Sequence, residues 1–166
     1  MKDIKVANAT PESELVDRFK DNLNKMTVIK EEANFNCKSQ TNADIEFKDF
    51  LGNYFVIEAK VSTTSDKYNN IHKIFGELLK ETGRPRTNTP NIRYAILIDN
   101  DEFFSNGFNE ILKEKYLGFG ELIPIQDIFI LKEEKLFHCK WNEFLCLCRN
   151  PPKEIVSQKS WEDLIV

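Results

Sequence analysis

Tyr54-Phe55-Val56-Ile57-Glu58-Ala59-Lys60-Val61 decides the fold, because it is almost continuously apolar and yet carries two opposite charges. A run of this length and composition predicts a strand buried on both faces. Side chains alternate across a strand, so Phe55, Ile57, Ala59 and Val61 share one face, and Tyr54, Val56, Glu58 and Lys60 share the other. An ionised carboxylate and an ammonium in such a strand are costly unless each finds a partner.

Upstream, Ala43-Asp44-Ile45-Glu46-Phe47 alternates as a strand does, with Ile45 and Phe47 on one side and Asp44 and Glu46 on the other. A turn centred on Gly52 joins the two strands and brings Asp44 alongside Glu58. Before them, an extended segment begins at 26–29 and runs raggedly to Phe35. A helix is predicted over 10–25, with Thr10 as N-cap, Pro11 at the first position and an apolar stripe of Leu15, Val16, Phe19, Leu23 and Met26. Glu12 lies on that stripe, whereas Glu14 points with Arg18 to the polar side.

Downstream, a second helix over 66–82 presents Tyr68, Ile71, Ile74, Phe75, Leu78 and Leu79 as its buried stripe, ending at Gly83. Gly76 suits close packing of this helix on the sheet. A buried strand follows over 93–99, then a short helix over 110–116 and a strand over 122–131, interrupted near Gln126 and Asp127. Two short alternating stretches, 137–141 and 144–148, precede a looser segment at Pro151-Pro152. The order α-β-β-β-α-β-(α)-β describes an α/β mixed sheet with helices packed on it. Residues 1–131 form the expected core domain, and 132–166 an extension packed on that core or at a dimer interface.

Composition narrows the function. The 41% hydrophobic and 30% charged fractions of these 166 residues describe a folded chain. The longest apolar runs, 54–57 and 94–98, are far short of the ~20 residues that span a bilayer. MKDIKVANAT lacks the apolar core of a signal peptide, so the expected location is cytoplasmic, away from membranes. Cys37, Cys139, Cys146 and Cys148 fit reduced core thiols better than a zinc site, since their spacing with His138 supplies no second chelating pair. Trp141 and Trp161 could stack on bases, although core or dimer packing is the simpler use of both.

The charged set has a chemical use. Two carboxylates at ~4 Å repel each other unless a cation lies between them. Mg²⁺ prefers oxygen ligands and commonly binds one or two carboxylates together with phosphate oxygens. A neighbouring lysine can orient or deprotonate a water, or balance charge on a phosphorane-like transition state. The bland alternative makes Glu58 and Lys60 a structural ion pair on a solvent face, which Tyr54 and Val56 on that face argue against.

Ala43-Asp44 followed by Val56-Ile57-Glu58-Ala59-Lys60 resembles the PD-(D/E)xK, or restriction-endonuclease-like, nuclease superfamily, over about residues 10–99. Position 43 is alanine where the motif has proline. Phe75-Gly76-Glu77-Leu78-Leu79 is similar to a G-Q-L stretch of some branches, with Glu77 in place of a glutamine and so unable to donate a hydrogen bond. The resemblance implies a restriction-endonuclease-like α-β-β-β-α-β core. It implies that Asp44 and Glu58 ligate Mg²⁺ (or Mn²⁺), aided by the Ala59 carbonyl. Lys60 would then be the water-orienting base, and Glu12, or failing it Glu14, the glutamate of the first helix. The implied activity is hydrolysis of DNA by an endonuclease. A junction resolvase or exonuclease could use the same residues, and a non-catalytic nucleic-acid-binding or protein-interaction module is the alternative of another class. A homodimer and a separate targeting subunit are both compatible with it.

A net charge of −4 is unusual for a nucleic-acid binder. Between positions 67 and 93, however, six basic residues face only two acidic ones. Arg84 and Arg86, flanking Pro85, are the expected phosphate contacts. His72 and Lys73 begin the middle of the second helix; His72 either reaches the phosphate or is a partly buried histidine with a hydrogen-bond partner. Lys67 and Lys80 suit a solvated helix face.

Overall fold

The computed structural model describes residues 11–62, 67–86 and 89–165, with side chains of the second helix described from Ile71 onward. Thr10 and the side chains of Lys67 and Tyr68 lie outside the described residues. Among the described residues, five helices and seven strands follow in the order α1 (Pro11–Lys25), β1 (Ile29–Phe35), β2 (Ile45–Asp49), β3 (Tyr54–Lys60), α2 (Lys67–Thr82), β4 (Ile92–Ile98), α3 (Asp101–Phe108), α4 (Lys113–Leu122), β5 (Ile125–Lys132), β6 (Lys135–Lys140), β7 (Lys153–Ile155) and α5 (Gln158–Ile165). A 3₁₀ helix, Trp141–Cys146, sits between β6 and β7. The fold is α/β, built on one mixed sheet.

The strands lie side by side in chain order. β3, β4 and β5 are parallel, and every other neighbouring pair is antiparallel. β3 therefore lies inside the sheet, which is why its apolar run is continuous. On one side of the sheet, Phe55, Ile57, Ala59 and Val61 of β3 join Ala95, Leu97, Phe129 and Leu131 in a core closed by α1 and α5. On the other, Ile96, Ile98, Ile128 and Ile130 pack with α2, α3, α4 and the 3₁₀ helix. No helix among the described residues is long and apolar enough to cross a membrane.

Local chemistry explains the element boundaries that matter for the site. Leu15, Val16, Phe19 and Leu23 are the buried stripe of α1, as the 3.6-residue period predicts. Between β2 and β3, Gly52 takes φ +90, a conformation that L side chains rarely adopt, and the Asp49 Oδ1 accepts from the N–H groups of Leu51 and Asn53. This short turn sets Ile45 opposite Ile57 and leaves Asp44, just before β2, alongside Glu58.

Several expectations are corrected. The Asp/Asn/Ser/Gly-rich stretch after β4 is helical, because Asn100 Oδ1 caps the Phe103 N–H; the helix expected over 110–116 instead spans Lys113–Leu122. Gly120 allows that extension, since Trp141 packs so closely that a Cβ there would lie 2.3 Å from its ring. Gly76, by contrast, is exposed with open space around it, and Leu79 is 54% exposed, so neither serves the helix–sheet contact. The alternation at 144–148 is a 3₁₀ helix and turn rather than a strand. Residues after 132 continue the same sheet through β6 and β7, and α5 returns to the core.

Trp161 anchors that return. It is fully buried, stacks on Phe129 with centroids 5.4 Å apart, and packs against Phe47 and Phe55. Its indole N–H donates to Asp49 Oδ2 at 2.9 Å, tying α5 to the β2–β3 turn. Trp141 is equally interior, stacked on Tyr116. Trp161→Ala should therefore destabilise the fold by about 3–5 kcal/mol, the usual range for deleting a large buried aromatic side chain. Chemical denaturation measures this directly; a loss below about 1 kcal/mol would place α5 outside the core.

Candidate active site

Three elements bring carboxyl groups to one point. Asp44 precedes β2, Glu58 stands in β3 and Glu77 projects from α2, and one oxygen of each lies within 4.8 Å of the others. Glu58 is only 5% exposed. Asp44 and Glu58 hydrogen-bond to each other, which requires a proton between them, and the second Asp44 interaction is with the Ala59 N–H, which donates to Oδ2 at 2.9 Å. Burial, reinforced by the neighbouring Asp44 charge, pushes the Glu58 carboxyl up to about 10. Burial raises Asp44 as well, against the hydrogen bonds from Glu58 and Ala59.

Lys60 completes the group from the next outward position of β3. Its ammonium lies 2.8 Å from Glu77 Oε2 and 3.5 Å from Glu12 Oε1. Burial pulls Lys60 downward, but the hydrogen bond and charge of Glu77, with Glu12 and Asp44, outweigh it and hold the amine above its ordinary value. Lys60 is consequently a charged donor in the metal-free protein. It can orient a water or a phosphate oxygen, in the position that the resemblance gives to the water-orienting base.

The backbone around Asp44 is clamped from both sides. Glu46 Oε2 accepts from the Ala43 N–H at 2.9 Å, while Asn34 Nδ2 donates to the Ala43 carbonyl at 2.6 Å. Glu46 Oε1 in turn accepts from Tyr54 and from Arg86 Nε, each at 3.1 Å. Arg86 also donates to Glu81 Oε2 and to the Glu81 carbonyl, at 2.8 and 2.7 Å. On the far side of Lys60, the N–H and hydroxyl of Ser62 donate to Asp99, fastening the end of β3 to that of β4.

Of the residues singled out from sequence, Asp44, Glu58, Lys60 and Glu12 converge, and Ala59 lies between them with its N–H on Asp44. The N–H and C=O of one extended residue point to the same side of a strand, so the Ala59 carbonyl faces the Asp44 side too. Glu14 is exposed. His72 and Lys73 are exposed on the outer face of α2. Arg84 and Arg86 are not free for phosphate: Arg86 is committed to Glu46 and Glu81, and Arg84 to Glu81 and the Gln40 carbonyl. Glu77, Glu46 and Glu81 are the residues that sequence reading missed. A signal existed for Glu81, which falls on the buried stripe after Ile71, Ile74 and Leu78 and is 3% exposed; a carboxylate there needs a cation, and Arg86 is its partner.

The donor set fits a hard divalent cation. It offers only oxygen atoms from carboxylates held close together, and their mutual repulsion is relieved by a proton or a metal ion. Among the described residues this is the one group of three or more potential metal-ligating side chains, and the cysteines are free. Comparison with protein-family models, curated proteins and solved structures returns no match.

The raised Glu58 carboxyl has a thermodynamic consequence. Its folded value near 10 lies above the ordinary 4.5 of the unfolded chain, so the folded state binds the extra proton between these limits. In EDTA, stability is predicted to be fully present below about pH 4.5 as far as this group is concerned, and to be lost progressively as pH rises toward 10. Glu58→Gln should flatten that dependence and be at least as stable as the parent at pH 8. Thermal melts across this range test it; marked destabilisation of Glu58→Gln at pH 8 would mark Glu58 as an ionised structural partner of Lys60.

Proposed function

We propose that this chain is a divalent-metal-dependent nuclease of restriction-endonuclease-like type that hydrolyses DNA phosphodiester bonds. The observation that carries the reading is the convergence of Asp44, Glu58 and Glu77 beside the buried ammonium of Lys60. A binding module has no need of a carboxyl group and an ammonium buried side by side in β3 with further carboxyl groups gathered around them. The element order from α1 to β4, with antiparallel β1–β2–β3 and parallel β3–β4, supports the resemblance carried by Asp44, Glu58 and Lys60.

Asp44, Glu58 and Glu77, with the Ala59 carbonyl, would hold Mg²⁺, or Mn²⁺ in its place. A bound ion there supplies Lewis-acid polarisation of the phosphate and a water of lowered pKa. Lys60, already charged and fixed by two carboxylates, donates a hydrogen bond to the attacking water or to a non-bridging phosphate oxygen. Glu12 keeps Lys60 pointed at that position from the other side. Asn34 and Glu46 hold the Ala43–Asp44 backbone, so the Asp44 carboxylate is pre-oriented rather than recruited. With Arg84 and Arg86 engaged elsewhere, His72 and Lys73 on the outer face of α2 are the groups left to meet the nucleic-acid backbone. The choice of DNA follows the resemblance.

Purified protein incubated with supercoiled plasmid, linear duplex and branched DNA should cleave in Mg²⁺ or Mn²⁺ and not in EDTA. Asp44→Asn and Lys60→Ala should each lower the rate by at least about 10²-fold. Nicking of closed circles identifies an endonuclease, loss confined to ends an exonuclease, and preference for branched DNA a resolvase. Cleavage that persists in both variants, or in EDTA, would overturn the assignment.

A further inference from the structure

A cavity of about 660 Å³ lies away from the carboxylate cluster. It opens where β4 and β5 begin and β6 ends, and its walls include Arg93, Lys113, Gln126, Lys140, Trp141 and Asn142. Arg93 is paired across the sheet with Phe55, and Ile98 with Lys60, so the two sites stand five residues apart along β3. At ~3.3 Å per residue that separation is roughly 16 Å.

Arg93 is the built part of this cleft. Its Nε and Nη2 donate to the two oxygens of Asp127 at 2.9 and 3.0 Å, a fork-on-carboxylate pair that fixes the guanidinium plane. Asp127 is fully buried in β5 and also accepts from His138 Nε2–H of β6 at 2.8 Å. Burial pushes Asp127 upward, but these two partners outweigh it and hold the carboxyl below its usual range, so the anchor is ionised. Arg93 Nη1 has no hydrogen-bond partner among the described residues, and the side chain keeps 18% of its surface exposed where it lines the cleft. Phe55 lies beneath the guanidinium at 5.9 Å.

The remaining walls divide by chemistry. Lys113 and Lys140 add two cations, against Glu121 as the acidic residue of the lining. Trp141, locked against Tyr116, and Leu117 supply an apolar surface, and Gln126 and Asn142 supply amides. A volume of this size suits a small organic molecule. A pre-oriented guanidinium with flanking ammonium groups suits an anionic head, and the apolar wall with amides suits a flat polar body.

We propose that this cleft is a second ligand site, which binds a nucleoside monophosphate with its phosphate on Arg93, Lys113 and Lys140. The assignment is independent of the nuclease reading. The test is a titration of the full chain in EDTA, followed through the two indole N–H signals in a ¹⁵N-correlated NMR spectrum. Adenosine monophosphate should shift the Trp141 signal saturably and leave Trp161 in place. Lys113→Ala and Lys140→Ala should each weaken binding by at least about tenfold, as loss of a charge-assisted contact does, and Arg93→Lys likewise. Glu58→Gln should bind as the parent does. The proposal is overturned by no saturable shift of Trp141 at millimolar nucleotide, or by affinities unchanged in the lysine variants. It is equally overturned if inorganic phosphate binds as tightly as the nucleotide, or if only a single-stranded oligonucleotide binds.

Discussion

The half-buried carboxyl group of Asp44 and the buried one of Glu58 lie against each other, and the surrounding structure is arranged around the repulsion this creates. A third carboxylate, Glu77, arrives from α2, and a single ammonium, Lys60, is drawn between Glu77 and Glu12. Such an arrangement is held only because its scaffold is over-determined: Ala43 is hydrogen-bonded through both its N–H and its carbonyl, and β3 is locked between β2 and β4. The aromatic core of Phe47, Phe55, Phe129 and Trp161 lies on the other face of the same sheet.

The parts of this picture legible in the sequence are those governed by local pattern. The two-face burial of β3, the amphipathic stripe of α1, the Gly52 turn and the pairing of Asp44 with Glu58 follow from period and turn chemistry. Glu12 was legible for the same reason, since a carboxylate on an apolar stripe must find a partner. What was hidden depended on contacts between distant positions. Arg86 meets Glu46 across 40 residues, and Trp161 meets Asp49 across 112. A basic pair around Pro85 reads as a phosphate-binding loop until those partners are known. α3 was hidden by composition: its Asn, Asp, Ser and Gly residues are turn formers, and the Asn100 cap overrides their weak propensity.

The buried Glu46–Arg86–Glu81 group separates charge that looked available from charge that is. Balanced once Arg84 on Glu81 is included, it leaves the exposed basic residues of α2 to face solvent, and it binds α2 to β2 beside the carboxylate cluster. The sheet is thus polar at two places for different reasons. At the ends of β3 and β4 near Lys60 and Asp99, carboxylates dominate. At the beginnings of β4 and β5, Arg93 and two lysines surround a cleft. Parallel strands joined by a crossover helix carry both ends without disturbing the apolar layers between them.

We propose that Asp44, Glu58 and Glu77 together form one divalent-cation site. Isothermal titration of the purified chain with Mn²⁺, compared with Asp44→Asn and Glu58→Gln, measures it most directly. One ion per chain is expected for the parent, with loss of binding in each variant. Absence of binding by the parent, or equal binding by all three proteins, would contradict it.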